Sequence, residues 1–513
     1  MAATQALRAL TLPSGALRRA SRPAVRDALG YFDPHMVVVP GQRDPRAHAS
    51  AREACPETPV VHPQLGRGGE PVSQYRFRPD TGVREVTDPG ETGGEETGGV
   101  DILAVQSTDS LARLRRQLET GERRTASGAV TVLVVPDLSV EWDTTTLSTE
   151  LPGRAELAGL GTALSEPVTV LAGGQQTEYS HEWSLTDDEG QPVSLRMAGL
   201  GATGRGGATF AQLTCTPRGT VAAEAVGADR FGLTSLTDVG PATADRLREH
   251  GYRTVDELRD AAVSDLAALP GLGRSTAETI HAHAEVIQSG DPLVLTNRAP
   301  VKTRNGQPPL CLDIETDGLT PTIIWQFGVY DPVTDRYRAF LQRTDPTDPK
   351  PALESFVTWF LAEHADRAVL TWNGEQFDYP CIERFLRQYL PGYLDAWNEV
   401  WTYDLYRWAV REGNALLPGR TNKLDHVARA LDYDGADTGL TGAQTAAAYQ
   451  EFMRNPDSEA AEPDWERHKA YCEDDCRALW HVYESIIGAR RRDVTDSGSG
   501  GARGTQTGLT DFQ

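Results

Sequence analysis

Short apolar runs punctuate the first half of the chain: Val130–Val135, Val168–Leu171, Val193–Met197 and Thr209–Thr214. Their length and valine content predict strands, and the spacing within Ser107–Leu118 predicts a helix among them. Upstream, Ala6, Leu7, Leu10 and Leu12 fall on one face of a short helix, and Met36 is an alternative start. At residues 231–287 the pattern changes to short helices. Two glycine turns, Val239-Gly240-Pro241-Ala242 and Leu269-Pro270-Gly271-Leu272-Gly273, precede helices over Thr243–Glu249 and Ser275–Val286. The turns lie about 30 residues apart, which marks an internal repeat. Thr254 with Glu257 has capping-box spacing, and Ser264 suits an N-cap. From Leu310 the pattern alternates again. Strands are expected at Leu310–Ile314, Ile323–Tyr330 and Tyr337–Leu341, the last two as antiparallel hairpins beside the first. A helix over Ala352–His364, a strand at Ala368–Trp372, a helix from Asp378 to Gln388 and a long helix over Asp464–Ile487 follow.

With 513 residues, the chain is too long for one core, and several domains are expected. The expected order starts with an arginine-rich segment (1–79), a Gly/Glu/Thr linker (80–99) and an α/β or α+β domain of unread role (100–220). An all-α pair of hairpins (231–290), a second linker (291–308), a C-terminal α/β domain (309–488) and a disordered tail (491–513) complete it. The glycine-rich stretch Gly199–Gly207 lacks the G-K-[ST] ending of a phosphate-binding loop and reads as a flexible turn. No stretch approaches the roughly 20 apolar residues of a membrane span, and no signal-peptide core follows the first arginines. A cytoplasmic protein without membrane partners is expected.

Charge alters this picture. Asp and Glu number 73 against 50 Lys and Arg, a net charge of -23, and only Lys302, Lys350, Lys423 and Lys469 are lysines. This composition resembles that of proteins from salt-loving archaea. In molar salt, where the Debye length is about 3 Å, the repulsion is screened; in dilute buffer it opposes the compact state. The six cysteines, Cys55, Cys215, Cys311, Cys381, Cys472 and Cys476, form no C-x-x-C pair. A disulfide framework is not expected. Cys472 and Cys476, one helical turn apart, read as small buried hydrophobes rather than metal ligands.

The candidate chemistry is acidic. Asp313 and Glu315 stand two apart on a hydrophobic strand, so both carboxylates leave the same face. Such a pair is costly unless neutralised, and a divalent cation does this. Asp378 opens a helix after Asn373-Gly374-Glu375-Gln376-Phe377. Tyr471 and Asp475, four apart, share a face of the long C-terminal helix, with Asp474 as an adjacent competitor. Phosphodiester hydrolysis suits such a set, because two metals about 4 Å apart can activate water and neutralise the leaving oxygen. Mg²⁺ and Mn²⁺ prefer carboxylate and water ligands.

These motifs, D-x-E at Asp313 and Glu315, N-G-x-x-F-D at Asn373 to Asp378, and Y-x-x-x-D at Tyr471 and Asp475, resemble the DEDD superfamily of 3′-to-5′ exonucleases, tyrosine branch, with a ribonuclease-H-like fold. Trp372 and the stretch Tyr403–Trp408 with Asp404 are similar to that superfamily's predicted archaeal and bacterial exonuclease subgroup. The resemblance implies a mixed sheet flanked by helices and two Mg²⁺ or Mn²⁺ ions. It implies that Asp313 bridges them, Glu315 and Asp475 hold the ion that activates water, Asp378 supports the other, and Tyr471 orients the water. Asn373 would touch nucleic acid. Gly318 would let the nucleotide approach the backbone; alternatively, Gln326 and Phe327 would touch the first sugar or base. His468 reads as a neighbour of Tyr471, not a ligand.

The glycine turns resemble a tandem helix-hairpin-helix module, whose exposed N–H groups grip a nucleic-acid phosphate. Gly240, Gly271, Gly273 and Arg274 would carry this contact. The function implied is a metal-dependent 3′-to-5′ exonuclease on nucleic acid, single-stranded DNA before RNA, in repair or processing, with a repair partner at the N-terminal domain. An exoribonuclease on the same fold and a non-catalytic nucleic-acid scaffold are the alternatives.

Overall fold

The computed structural model describes residues 6–41, 43–63, 70–87, 99–126, 128–143, 148–164, 168–177, 179–201, 209–216, 221–303, 306–436, 438–458 and 461–492. Two compact units divide the chain: Met1–Ser235 with Val239–Thr254, and Leu236–Asp238 with Val255–Gln513.

The first unit holds two mixed sheets. A five-stranded sheet pairs Leu7–Thr11 in parallel with Met36–Val38 and antiparallel with Thr209–Cys215. A seven-stranded sheet is built around Val100–Val105, Val130–Val135 and Val168–Ala172, all parallel. Leu7, Val38 and Leu213 from the first sheet share a core with Ile102, Val132 and Leu171 from the second. The outer face of each sheet is covered by helices, Arg22–Phe32 and Pro45–Ala54 on one and Leu111–Glu119 and Arg154–Leu164 on the other. Strands buried on both faces read as continuous apolar runs, which is why these were visible in sequence.

Several boundaries differ from those expected. Leu7–Thr11 is a central strand where a helix face was expected, and a chain beginning at Met36 would lack it. The segment 1–79 is therefore woven into the same unit as 100–220. Within the expected 80–99 linker, Gly82–Glu85 pairs with Val72–Arg78; residues 88–98 lie outside the described residues, as does most of the glycine-rich 199–207 stretch. In the expected 291–308 linker, Leu293–Val294 forms a strand. Of the expected tail, Arg491 joins a strand with Arg490, and 493–513 lie outside the described residues.

The second unit contains short helices α1 (Val255–Asp260) and α2 (Val263–Ala267) and the longer α3 (Arg274–Ser289). Ser264 sits inside α2 rather than capping it. Then come strands β1 (Leu293–Val294), β2 (Leu310–Thr316), β3 (Ile324–Asp331) and β4 (Arg336–Leu341), helix α4 (Lys350–Glu363), strand β5 (Val369–Thr371) and helix α5 (Asp378–Tyr389). Strands β6 (Thr402–Asp404) and β7 (Ala415–Leu416), helices α6 (Leu424–Ala430), α7 (Gly442–Arg454) and α8 (Trp465–Gly488), and strand β8 (Arg490–Arg491) follow. The main sheet runs β4-β3-β2-β5-β6, with β2 central, antiparallel to β3 and parallel to β5. Alternation along β2 sorts its faces. Leu310, Leu312 and Ile314 pack on α4 and α5, while Cys311 faces the core that includes α8. Asp313 and Glu315 share the face of Cys311.

Candidate metal centre

Helix α8 reaches the acidic face of β2 through small residues. Asp313 stands opposite Gly328 in the ladder. A Cβ on Gly328 would lie 2.4 Å from the Cys472 sulfur, so only glycine lets the helix lie this low. Cys472 and Cys476 are both fully buried, Cys472 Sγ is 3.9 Å from the Asp313 carbonyl, and Cys476 Sγ donates to the Gly328 carbonyl at 3.4 Å. Tyr471 and Asp475, offset on the same helix, are thereby held over β2.

The four predicted acids come together. Glu315 and Asp378 are buried, and Asp313 and Asp475 are half-buried. Burial, and then the charges of Asp313, Asp475 and Asp378, hold the Glu315 carboxyl well above its ordinary range. Burial and Asp313 raise Asp378; burial, Asp313 and Asp425 raise Asp475. Burial pushes Asp313 up to about 6, against hydrogen bonds from the Cys472 thiol and the Ile314 amide. The charges acting on Glu315 are all carboxylates. A buried acidic set of this kind suits hard divalent cations bound by oxygen.

One oxygen each of Asp313 and Glu315 lies within 4.8 Å of the other and of Cys472 Sγ. A soft sulfur is a poor match for the hard cations that the neighbouring carboxylates suit, so Cys472 reads as packing between α8 and β2. Asp474 and Asp475 have different partners. Asp474 accepts from the Tyr433 hydroxyl at 3.0 Å and the Ala436 amide at 2.8 Å, whereas Asp475 responds to Asp313. The Tyr471 phenol is raised well above its usual value, first by the Asp475 charge and then by burial.

Residues 310–487 match the family model of the RNase H superfamily. The C-terminal domain is an RNase H-like domain. Residues 232–285 match a SAM-like helix-hairpin-helix tandem. A solved structure of an exonuclease I is similar at 18% identity and a TM-score of 0.20, over 29% of this chain and 42% of that one. The chain thus matches less than half of that protein's length. No curated protein matches the chain.

The RNase H-like domain positions Asp378 through a strained loop. Asn373 adopts a left-handed φ of 65°, and a Cβ on Gly374 would lie 2.1 Å from Thr371 Oγ1. Asp404, at the end of β6, clamps this loop: its carboxylate accepts from the amides of Asn373 at 2.9 Å, Glu375 at 3.2 Å and Arg407 at 3.0 Å. The side chain of Asn373 accepts from Arg411 Nη2 at 3.4 Å.

Sequence reasoning missed other neighbours. Asp425, in the first turn of α6, adds its charge to both Asp475 and Tyr471; no motif flagged it. The β2–β3 register shifts at Glu315/Thr316, leaving Trp325 as an extra residue opposite no partner. Such a bulge re-aims a side chain. Trp325 stacks on Tyr449 of α7, with ring centroids 4.9 Å apart, and meets His468 edge-on at 5.7 Å. His468 thus packs on Trp325, where its sequence spacing suggests a place beside Tyr471. Gln326 and Phe327 are not available to a sugar or base. Both are fully buried, Gln326 donating to the Tyr337 hydroxyl at 3.1 Å and Phe327 stacking on Phe356. Gly318 has a φ of 141°, and a Cβ there would lie 3.5 Å from Gln450.

At the hairpins, Gly240 caps the helix Pro241–Glu249 in the first unit and Gly273 caps α3 in the second. A Cβ at either would meet nothing within 4 Å; of the three turn glycines, Gly271, with a φ of 75°, is the one whose backbone needs glycine. Arg274 begins α3 with its side chain 85% exposed and bonded to Glu278.

Proposed function

We propose that the protein is a metal-dependent nuclease that removes nucleotides from the 3′ end of a nucleic-acid strand, single-stranded DNA before RNA. The observation that carries this reading is the convergence of Asp313, Glu315, Asp378 and Asp475: all four are raised by burial, and the Asp313 charge raises the other three further. In an RNase H-like domain, these residues would hold two Mg²⁺ or Mn²⁺ ions. When bound, divalent ions activate water and stabilise charge on the scissile phosphate and leaving oxygen.

The chain's own residues supply the rest. Asp404 and the left-handed Asn373 fix where α5 begins, and so where Asp378 points. Tyr471 stays a neutral phenol through neutral pH, so it orients a water or phosphate oxygen by hydrogen bonding and does not act as a base. The 3′-to-5′ direction and the DNA preference rest on the motif resemblance. The glycine turns, with Gly240 and Gly273 leaving their backbones uncovered, support a phosphate-gripping role for the hairpins.

The test uses 5′-end-labelled single-stranded DNA, duplex DNA and RNA with Mg²⁺ or Mn²⁺, across a KCl series. Progressive shortening of the labelled single strand, abolished by EDTA, is the expected result. Shortening of RNA alone would favour the exoribonuclease alternative, and no cleavage of any substrate would leave a binding scaffold.

A further inference from the structure

Arg490 and Arg491 form β8, an edge strand paired in parallel with β1, and the Arg492 amide extends the pairing to the Val294 carbonyl at 2.9 Å. A cavity of about 290 Å³ separates this strand from a face of α3, lined by Glu278, His281, Glu285, Arg490, Arg491 and Arg492. Glu278 joins the two sides. Its Oε1 accepts from Arg274 Nε at 3.0 Å and its Oε2 from Arg492 Nη2 at 2.7 Å. Arg490 is held more loosely, 3.6 Å from Glu285, and Arg491 donates to the Thr296 carbonyl at 3.3 Å.

Three guanidinium groups, those of Arg274, Arg490 and Arg492, therefore pair with two carboxylates, with Arg491 beside them on the Thr296 carbonyl, in a chain whose net charge is -23. Arg274 is 85% and Arg490 72% exposed, while Arg492, held by Glu278, is 32% exposed. A guanidinium presents a planar fork of donors that matches a phosphate bidentately. Glu278 alone holds both Arg274 and Arg492 in place, so less rotamer freedom is lost on binding.

We infer that Arg274, Arg490, Arg491 and Arg492 form a phosphodiester-binding surface that holds the backbone of a nucleic-acid strand, with residues none of which belongs to the carboxylate centre. The inference rests on the nuclease reading for the identity of its ligand. Contacts of this type position a strand and carry no base specificity.

The test measures binding of a fluorescein-labelled single-stranded DNA of about 30 nucleotides to the full chain in EDTA, by anisotropy. It spans KCl concentrations at which circular dichroism shows the fold intact. Arg490→Gln with Arg491→Gln should weaken binding about tenfold and reduce the slope of log affinity against log salt by about 1 to 2. Glu285→Gln, which releases Arg490, should strengthen binding several-fold; a strand with a purely architectural role predicts no such gain. Unchanged affinity and slope in the double arginine variant, with unchanged dichroism, would overturn the inference. Hydrolysis by the unmodified protein is assayed separately, so loss of the nuclease reading and loss of this surface are distinguishable.

Discussion

Asp313 concentrates the chemistry of the centre in one side chain, because it influences Glu315, Asp378, Asp475 and Tyr471. Its replacement by asparagine keeps the shape and removes the charge. Asp313→Asn should lower cleavage by more than about 100-fold, exceeding the loss typical of residues that only support a ligand. Tyr471→Phe removes one hydrogen bond to a charged group, about 1.5–3 kcal/mol, and should cost roughly 10- to 100-fold. Steady-state rates on one labelled substrate compare the two, and equal losses would contradict the assigned roles. The same acids predict an inverted pH dependence for the metal-free protein. The Asp313 carboxyl titrates near 3.8 when unfolded and at about 6 when folded, so between these values the folded state binds more protons. Stability contributed by its protonation is present below the unfolded pKa and lost as pH rises toward about 6. In EDTA the melting temperature should fall from about pH 5 to about pH 7, and Mg²⁺ or Mn²⁺ should restore more of it at the higher pH. A thermal series whose metal effect is the same at both pH values would contradict this. At this scale the sequence was most informative. All four acids and Tyr471 were legible because each sits in a short motif. Asp425 was not, since its proximity to Asp475 depends on how α6 packs on α8.

Elements explain why those motifs meet. The loop before α5 needs glycine at 374, where a Cβ would sit 2.1 Å from Thr371 Oγ1; at Gly392 a Cβ would meet nothing within 4 Å. Gly374→Ala should destabilise the fold by about 1–3 kcal/mol, the usual cost of overpacking, whereas Gly392→Ala should be close to neutral. Urea midpoints measure both, and parity between them would undercut the loop's described geometry. The hairpin turns differ in the same way. Gly271 needs its left-handed backbone, while Gly273 has open space beside it and an ordinary φ of -79°. Gly273→Val should therefore fold and yet lose affinity for long strands, if the bare backbone grips phosphate. Filter binding on long and short oligonucleotides tests this, and unchanged affinity on both would assign the turn to architecture alone. The bulge at Trp325 shows what pattern reading cannot supply. Alternation along Ile323–Tyr330 places Trp325 and Gln326 on opposite faces, and one extra residue in the ladder changes where the ring points.

For the whole molecule, legibility followed the sequence separation of contacts. The RNase H-like domain announced itself because its strands and helices occur in order along 310–487. The first unit did not, because Leu7–Thr11 pairs with Thr209–Cys215, some two hundred positions away, and nothing local in either segment specifies that partner. An apolar strand of five residues is also indistinguishable from a helix turn by periodicity alone. The surface charge acts at this scale too. With 73 acids against 50 bases, the compact state should tighten as KCl rises and screens repulsion; a circular-dichroism melt that is independent of salt would contradict that. The central claim, that four carboxylates form one divalent-metal centre, is tested most directly by counting bound Mn²⁺ with electron paramagnetic resonance, free of any assumption about substrate. The account predicts two Mn²⁺ ions bound per chain and loss of both in Asp313→Asn. Undiminished Mn²⁺ binding by the Asp313→Asn variant would contradict it.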